Sequence, residues 1–191
     1  MIRKMRDYTH EEFVELVKSL NEEKLLEFSA NYGGYPVLFR MSLDERLRHI
    51  PFIQTGSSVI VRNEKNEILL QRRSDNGRWG LPGGCQDLGE HLKDTAIREL
   101  YEEKDILINK NKLVLIDTLS GNKRKRTYPN GDIVYNNTSL YLVDINLQEI
   151  NIKKDSESIE LQFFDIKKLP EPMHDGDLIE AYISYLNRER I

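Results

Sequence analysis

Apolar residues recur along this chain at two different intervals, and the change comes near residue 55. Over residues 7–30 they return every three or four positions. Phe13, Leu16, Val17 and Leu20 mark one face of a helix, and Thr9 and Glu12 stand ahead of it at capping-box spacing. NYGGYP at 31–36 interrupts the pattern. Ser42 and Glu45 then start a second, short helix that runs to about His49, before Pro51 ends it. Residues 1–50 therefore read as a small helical extension, and residues 51–191 as the main domain.

From Gly56 the texture changes to short apolar runs rich in β-branched residues. SSVIVRN and EILLQRR read as two strands, with NEKN as the turn of a hairpin. SDNGRWGLPGG follows as a long glycine-rich loop, and residues 90–104 return to helical spacing. Further strands are predicted at KLVLIDTLSG, around YPNGDIVYN, in TSLYLVDIN and in LQFFDI, with Asn130-Gly131 as a tight turn. DLIEAYISYLNRE reads as a C-terminal helix. The sum is an α/β chain: a mixed sheet with helices around it.

Composition narrows the function. The chain has 191 residues and a formal net charge of −4, so it lacks the basic balance of a nucleic-acid binder. Its single cysteine, Cys85, excludes a disulfide framework and a multi-cysteine zinc site. No stretch approaches the ~18 apolar residues of a membrane span, and the N-terminus has no apolar core of signal-peptide length. The expected location is cytoplasmic.

The predicted helix at 90–104 carries two stripes. Leu92, Ala96 and Leu100, widened by Ile97, face a core. Glu99, Glu102 and Glu103 form the other, and like charges at this spacing oppose helix formation by a few tenths of a kcal/mol per pair. Two readings account for them. One is a solvated acidic face relieved by Arg98 and Lys104. The other is a divalent cation, since carboxylates and water suit Mg²⁺ or Mn²⁺. The preceding GLPGG favours the cation, because its glycines allow close backbone approach and a carbonyl ligand.

These residues, in this order, resemble the Nudix box, G-x5-E-x7-R-E-U-x-E-E-x-G-U, where U is aliphatic. The matching positions are Gly84, Glu90, Arg98, Glu99, Leu100, Glu102, Glu103 and Ile106, and looser similarity extends from about Thr55 to Leu169. One position departs: Asp105 stands where the pattern has glycine. Aspartate tolerates the left-handed region better than most residues, so the helix exit is expected to survive. The resemblance implies a Nudix-type α/β/α sandwich. It also implies metal-dependent hydrolysis of a nucleoside diphosphate linked to another moiety, with Mg²⁺ or Mn²⁺ as cofactor. On the matching positions, Glu99, Glu102 and Glu103 bind metal or help activate water, with a carbonyl from Gly83–Gly84. Arg98 orients a glutamate, and Glu90 supports the metal ligands from behind. A homodimer is expected from similar proteins.

Beyond the box, a late-loop general base is expected at Glu157, with Glu160 as the alternative. Arg72, Arg73 and Arg78 are candidate phosphate contacts, with surface charge as the competing reading. Tyr128 and Tyr135 flank the Asn130-Gly131 turn and are candidates for a nucleoside pocket or dimer contact. Trp79 and Cys85 read as packing, His91 as exposed, and His10, His49 and His174 show no ligand spacing. The basic run NKRKRTYPNGD reads as a solvated loop. By similarity the substrate is ADP-ribose or a related nucleotide sugar or dinucleotide. The alternatives are a nucleoside triphosphate, or a non-catalytic nucleotide sensor.

Overall fold

The apolar runs of the central strands bury both of their faces. In β1 (Phe52–Arg62), Val59 and Val61 join one buried cluster and Ile60 the other. The same alternation holds in β2 (Glu67–Arg73), where Leu69 opposes Ile68 and Leu70. A pleated strand sends successive side chains to opposite faces, so such runs need a layer on each side of the sheet. The chain supplies two helices for this. Helix α1 (Leu92–Lys104) brings Ala96 and Leu100 to one cluster, and α2 (Gly176–Glu189) brings Leu178, Ile179 and Tyr182 to the other.

The computed structural model describes residues 12, 15, 19, 51–128, 132–148 and 152–189. Of the extension predicted at 1–50, Glu12, Glu15 and Ser19 are helical. The rest of that extension and the Asn130-Gly131 turn lie outside the described residues.

The remaining strands are β3 (Trp79–Gly80), β4 (Gly83–Cys85), β5 (Val114–Leu119), β6 (Lys125–Thr127), β7 (Ile133–Asp144) and β8 (Ser158–Asp165). The main path of the sheet is β3-β2-β1-β7-β5, with β4 paired to β1, β6 to β7 and β8 to β2. β1 and β7 run parallel, from Phe52 opposite Val134 to Arg62 opposite Asp144. The other pairs are antiparallel, so the sheet is mixed as predicted.

β1 changes neighbour along its length. Arg62 pairs with Ile68 of β2 at one end, while Gly56–Ser58 pair with β4 nearer the other. The second pairing depends on glycine. Gly83 has φ +151, and a Cβ there would lie 2.2 Å from the Ser57 carbonyl oxygen. This fork delivers the glycine loop to the polar side of α1.

Four expectations are corrected. β1 begins at Phe52, not Ser57, because its parallel partner continues that far. The glycine loop contains β3 and β4, which are two and three residues long. The strands expected around 133 and 140 are one continuous β7. The basic run is not wholly solvated: Arg124 is buried, with Nη1 donating to both Asp177 carboxylate oxygens at 2.9 and 3.0 Å and Nη2 to Thr138 Oγ1 at 2.8 Å.

Helix α1 ends as the departure at Asp105 requires. Asp105 adopts φ 59, ψ 26. Its N–H donates to the Tyr101 carbonyl at 2.9 Å and the Ile106 N–H to that of Leu100 at 3.2 Å, closing the helix in a left-handed cap. The Asp105 carboxylate pairs with Lys153.

Candidate active site

Arg98 organises the polar face of α1. Its Nε donates to Glu90 Oε1 at 3.0 Å, Nη1 to Glu99 Oε1 at 2.8 Å and Glu102 Oε2 at 3.2 Å, and Nη2 to the Cys85 carbonyl at 2.8 Å and Glu90 Oε2 at 3.1 Å. One guanidinium thus joins three of the box carboxylates to β4. The planar fork of donors makes this possible; a lysine would offer a point charge instead. Glu90 also accepts from the Asp87 N–H at 3.1 Å and Thr95 Oγ1 at 2.8 Å. Burial pushes the Glu90 carboxyl up, but these donors outweigh it and leave the group below its usual range.

Glu99 and Glu103 behave oppositely. Burial pushes Glu99 up; Arg98 offsets part of this, Glu102 and Glu157 add to it, and the result is about 7. Burial also raises Glu103, to about 8, with Lys104 opposing and Glu99 adding. Glu103 Oε2 accepts from the Gly83 N–H at 3.2 Å. In both, burial disfavours the charged form more than the neighbouring cation favours it.

The two carboxylates open into a cleft of about 410 Å³. Of the predicted site residues, Gly84, Arg98, Glu99, Glu103, Arg73 and Glu157 line it. Glu102 is not among the lining residues; its side chain is 57% exposed and pairs with Arg98. Arg72, Arg78, Tyr135 and Glu160 are not among the lining residues. The Arg72 Nε is turned to the Gly77 carbonyl at 3.2 Å. Arg73 is paired with Asp75 at 2.9 Å.

Sequence reasoning missed three other lining residues, Arg124, Arg126 and His174, which join Tyr128 in the cleft. The NKRKR run was the available signal for the arginines. His174 is brought in by a bond from its N–H to the Trp79 carbonyl at 2.6 Å, which no local pattern announces. Trp79 is buried edge-on against Phe164, with ring centroids 5.0 Å apart, so packing is its role.

Among the described residues no three Asp, Glu, His or Cys side chains already converge as a ligand group; Glu99 and Glu102 both accept from Arg98, while Glu103 accepts from the Gly83 N–H. The donor chemistry nevertheless fits a hard divalent cation: every candidate ligand is an oxygen, and two of them belong to carboxyls that burial holds above their usual range. The absence of a side chain at Gly84 lets the Glu99 carboxylate lie against the loop backbone. The residues that would hold the ion are Glu99, Glu102 and Glu103, with a carbonyl of the Gly83–Gly84 loop.

Comparison with known proteins gives the family. Residues 53–182 match the NUDIX domain, more than half of the chain, and the chain belongs to the Nudix family. It is a Nudix hydrolase by class, with the α/β/α sandwich that the box implied, and its family generally uses divalent metal ions. Over 126 residues it is 31% identical to the ADP-ribose pyrophosphatase of Methanocaldococcus jannaschii, covering 64% of this chain and 69% of that protein. Over 48 residues it is 50% identical to a Bacillus subtilis protein described as "Putative 8-oxo-dGTP diphosphatase", covering 25% of this chain and 32% of the relative. The chain thus spans about a third of the length of that relative. The structure of a MutT protein from Methanosarcina mazei has the same fold, with a TM-score of 0.58 and 22% identity over 73% of this chain and 96% of that one.

Proposed function

We propose that this protein hydrolyses the pyrophosphate bond of a nucleoside diphosphate derivative, ADP-ribose or a similar nucleotide sugar or dinucleotide, using Mg²⁺ or Mn²⁺. The observation that carries the reading is the meeting of acidic and basic groups in one cleft. Glu99 and Glu103, both raised by burial, line it together with Arg73, Arg124 and Arg126. A substrate with a central diphosphate and a group at each end suits both. The longer similarity to a protein named ADP-ribose pyrophosphatase supports this choice.

Bound metal would neutralise phosphate oxygens and lower the pKa of its water. The chain's own groups do the rest. Arg98 holds Glu99 in place by a charge-assisted bond. Glu157 takes the proton of the water that attacks phosphorus, the bridging P–O bond breaks, and the bridging oxygen leaves with the other phosphate. Arg73 and Arg126 steady the phosphates, and Tyr128 lies along the wall where a base or ribose would rest. Residues 51–191 form the hydrolase unit.

The short, stronger similarity to the Bacillus protein favours a second reading, a nucleoside triphosphate substrate. Turnover of ADP-ribose, dinucleotides and triphosphates, each with Mg²⁺ and with Mn²⁺, separates the two. Intact substrates throughout, with nucleotide still bound by folded protein, would leave only a sensing module.

A further inference from the structure

Lys104 has no exposed surface at all. The Nudix pattern leaves this position open, so the box does not account for a lysine there. A buried ammonium is costly unless it is paired and hydrogen-bonded, and this one uses all three of its donors. Nζ donates to Gln71 Oε1 at 2.7 Å, Ser158 Oγ at 2.9 Å and the Glu103 carbonyl at 3.2 Å. Its nearest carboxylate oxygen is Asp155 Oδ1 at 3.5 Å.

The partners close a ring. Ser158 Oγ donates to Gln71 Oε1 at 2.6 Å and lies 2.8 Å from Asp155 Oδ1. The backbone adds a further tie, because the Lys153 N–H donates to the Lys104 carbonyl at 2.9 Å. The segment 153–158 is therefore fastened at three places to the last turn of α1. Glu157 lies in that segment. Its carbonyl accepts from the Ser74 N–H at 2.8 Å, and the residue lines the cleft. Lys104 itself is not among the lining residues.

We propose that Lys104 is a positioning residue: its ammonium fixes the 153–158 segment, and with it Glu157, against the glutamate face of α1. The catalytic consequence rests on Glu157 taking the water proton, whereas the fastening itself does not. A lysine is suited to the task because one side chain from α1 satisfies a serine, an amide and a carboxylate that come from β2 and from the chain entering β8.

The test compares Lys104→Met with the milder Ser158→Ala and Asp155→Asn, which stand in for it should the first fail to fold. Hydrogen exchange should quicken about tenfold or more in peptides covering 152–158, with residues 92–100 unchanged. Calorimetric Mn²⁺ affinity and KM should hold, while kcat falls ~10–100-fold, the usual cost of losing a group that orients a site. In a Glu157→Gln background the same substitution should lower kcat no further. Unchanged exchange at 152–158 overturns the proposal. So does lost Mn²⁺ binding, which would make Lys104 a support of Glu103, or a full additional loss of kcat on Glu157→Gln. If Glu157→Gln alone keeps full turnover, the general-base reading falls and exchange alone decides the fastening.

Discussion

The Glu99 carboxylate occupies the space where a side chain at Gly84 would begin. A Cβ on Gly84 would lie 2.4 Å from Glu99 Oε1 and 2.5 Å from its Cδ. The glycine that opens the Nudix box and the first glutamate of its triad are thus fitted to each other, fifteen positions apart. Gly84→Ala should displace Glu99 by about an ångström. A shift of that size costs on the order of 100-fold in rate, and steady-state kinetics with a crystal structure of the variant would check both.

Glu102 is exposed and contributes little to the fold, so its loss should be felt in chemistry. Glu102→Gln should reduce turnover to background while nucleotide affinity stays measurable by calorimetry and the melting temperature stays within a few degrees. Persistent turnover would remove Glu102 from the site.

Arg98 balances carboxylates that would otherwise face one another. Arg98→Ala leaves partly buried acceptors without their donor, at about 1–3 kcal/mol. The melting temperature should fall accordingly, and Mg²⁺ should restore part of it. Arg98→Lys should recover less than charge alone would give, because a point charge cannot serve Glu90, Glu99 and Glu102 together.

Stability of the metal-free protein should fall as pH rises from 5 to 8. Glu99 and Glu103 have folded-state values of about 7 and 8, above the usual 4.5. Between these limits the folded state holds more protons than the unfolded one, so unfolding free energy decreases with pH. Below about 4.5 both states are protonated and these two groups add no slope; above about 8 the loss is complete. Bound divalent metal favours the carboxylates, so thermal melts across pH 5–8 should flatten when Mg²⁺ is present. Identical curves with and without metal would contradict the site.

Arg126 lines the cleft, its Nη1 held by the Lys123 and Lys125 carbonyls at 3.2 and 3.1 Å. Arg126→Ala should raise KM about tenfold to a hundredfold with kcat little changed, as expected when a charge-assisted contact serves substrate and transition state alike. Arg72→Ala and Arg78→Ala, outside the cleft, should leave both constants alone.

The residues of α1 were legible in the sequence because their spacing is local: one stripe of Ala96 and Leu100 for the core, another for chemistry. The two-layer packing of the sheet was legible as an α/β texture. What escaped depended on partners far along the chain. β3 and β4 are too short to show a period, and they exist because β2 and β1 offer edges. β7 looked like two strands because Asn136 and Asn137 interrupt its apolar run, yet the parallel ladder to β1 continues through both. Arg124 looked like a solvated charge because Asp177, which neutralises it, arrives 53 positions later. Glu157 was already preferred to Glu160 in the sequence; what the sequence did not show is that Glu160 lies within β8 across from Arg72 while Glu157 lines the cleft.

The parallel ladder between β1 and β7 also sets an order of events during synthesis. β1 emerges early, but its central partner is incomplete until residue 144 has been made. Until then the backbone groups of residues 52–62 along that side have no strand to meet, and an unpaired apolar edge is an invitation to other chains. Pairings so distant in sequence form slowly. A nascent chain stalled before β7 should therefore be the species most prone to aggregate and most dependent on chaperones.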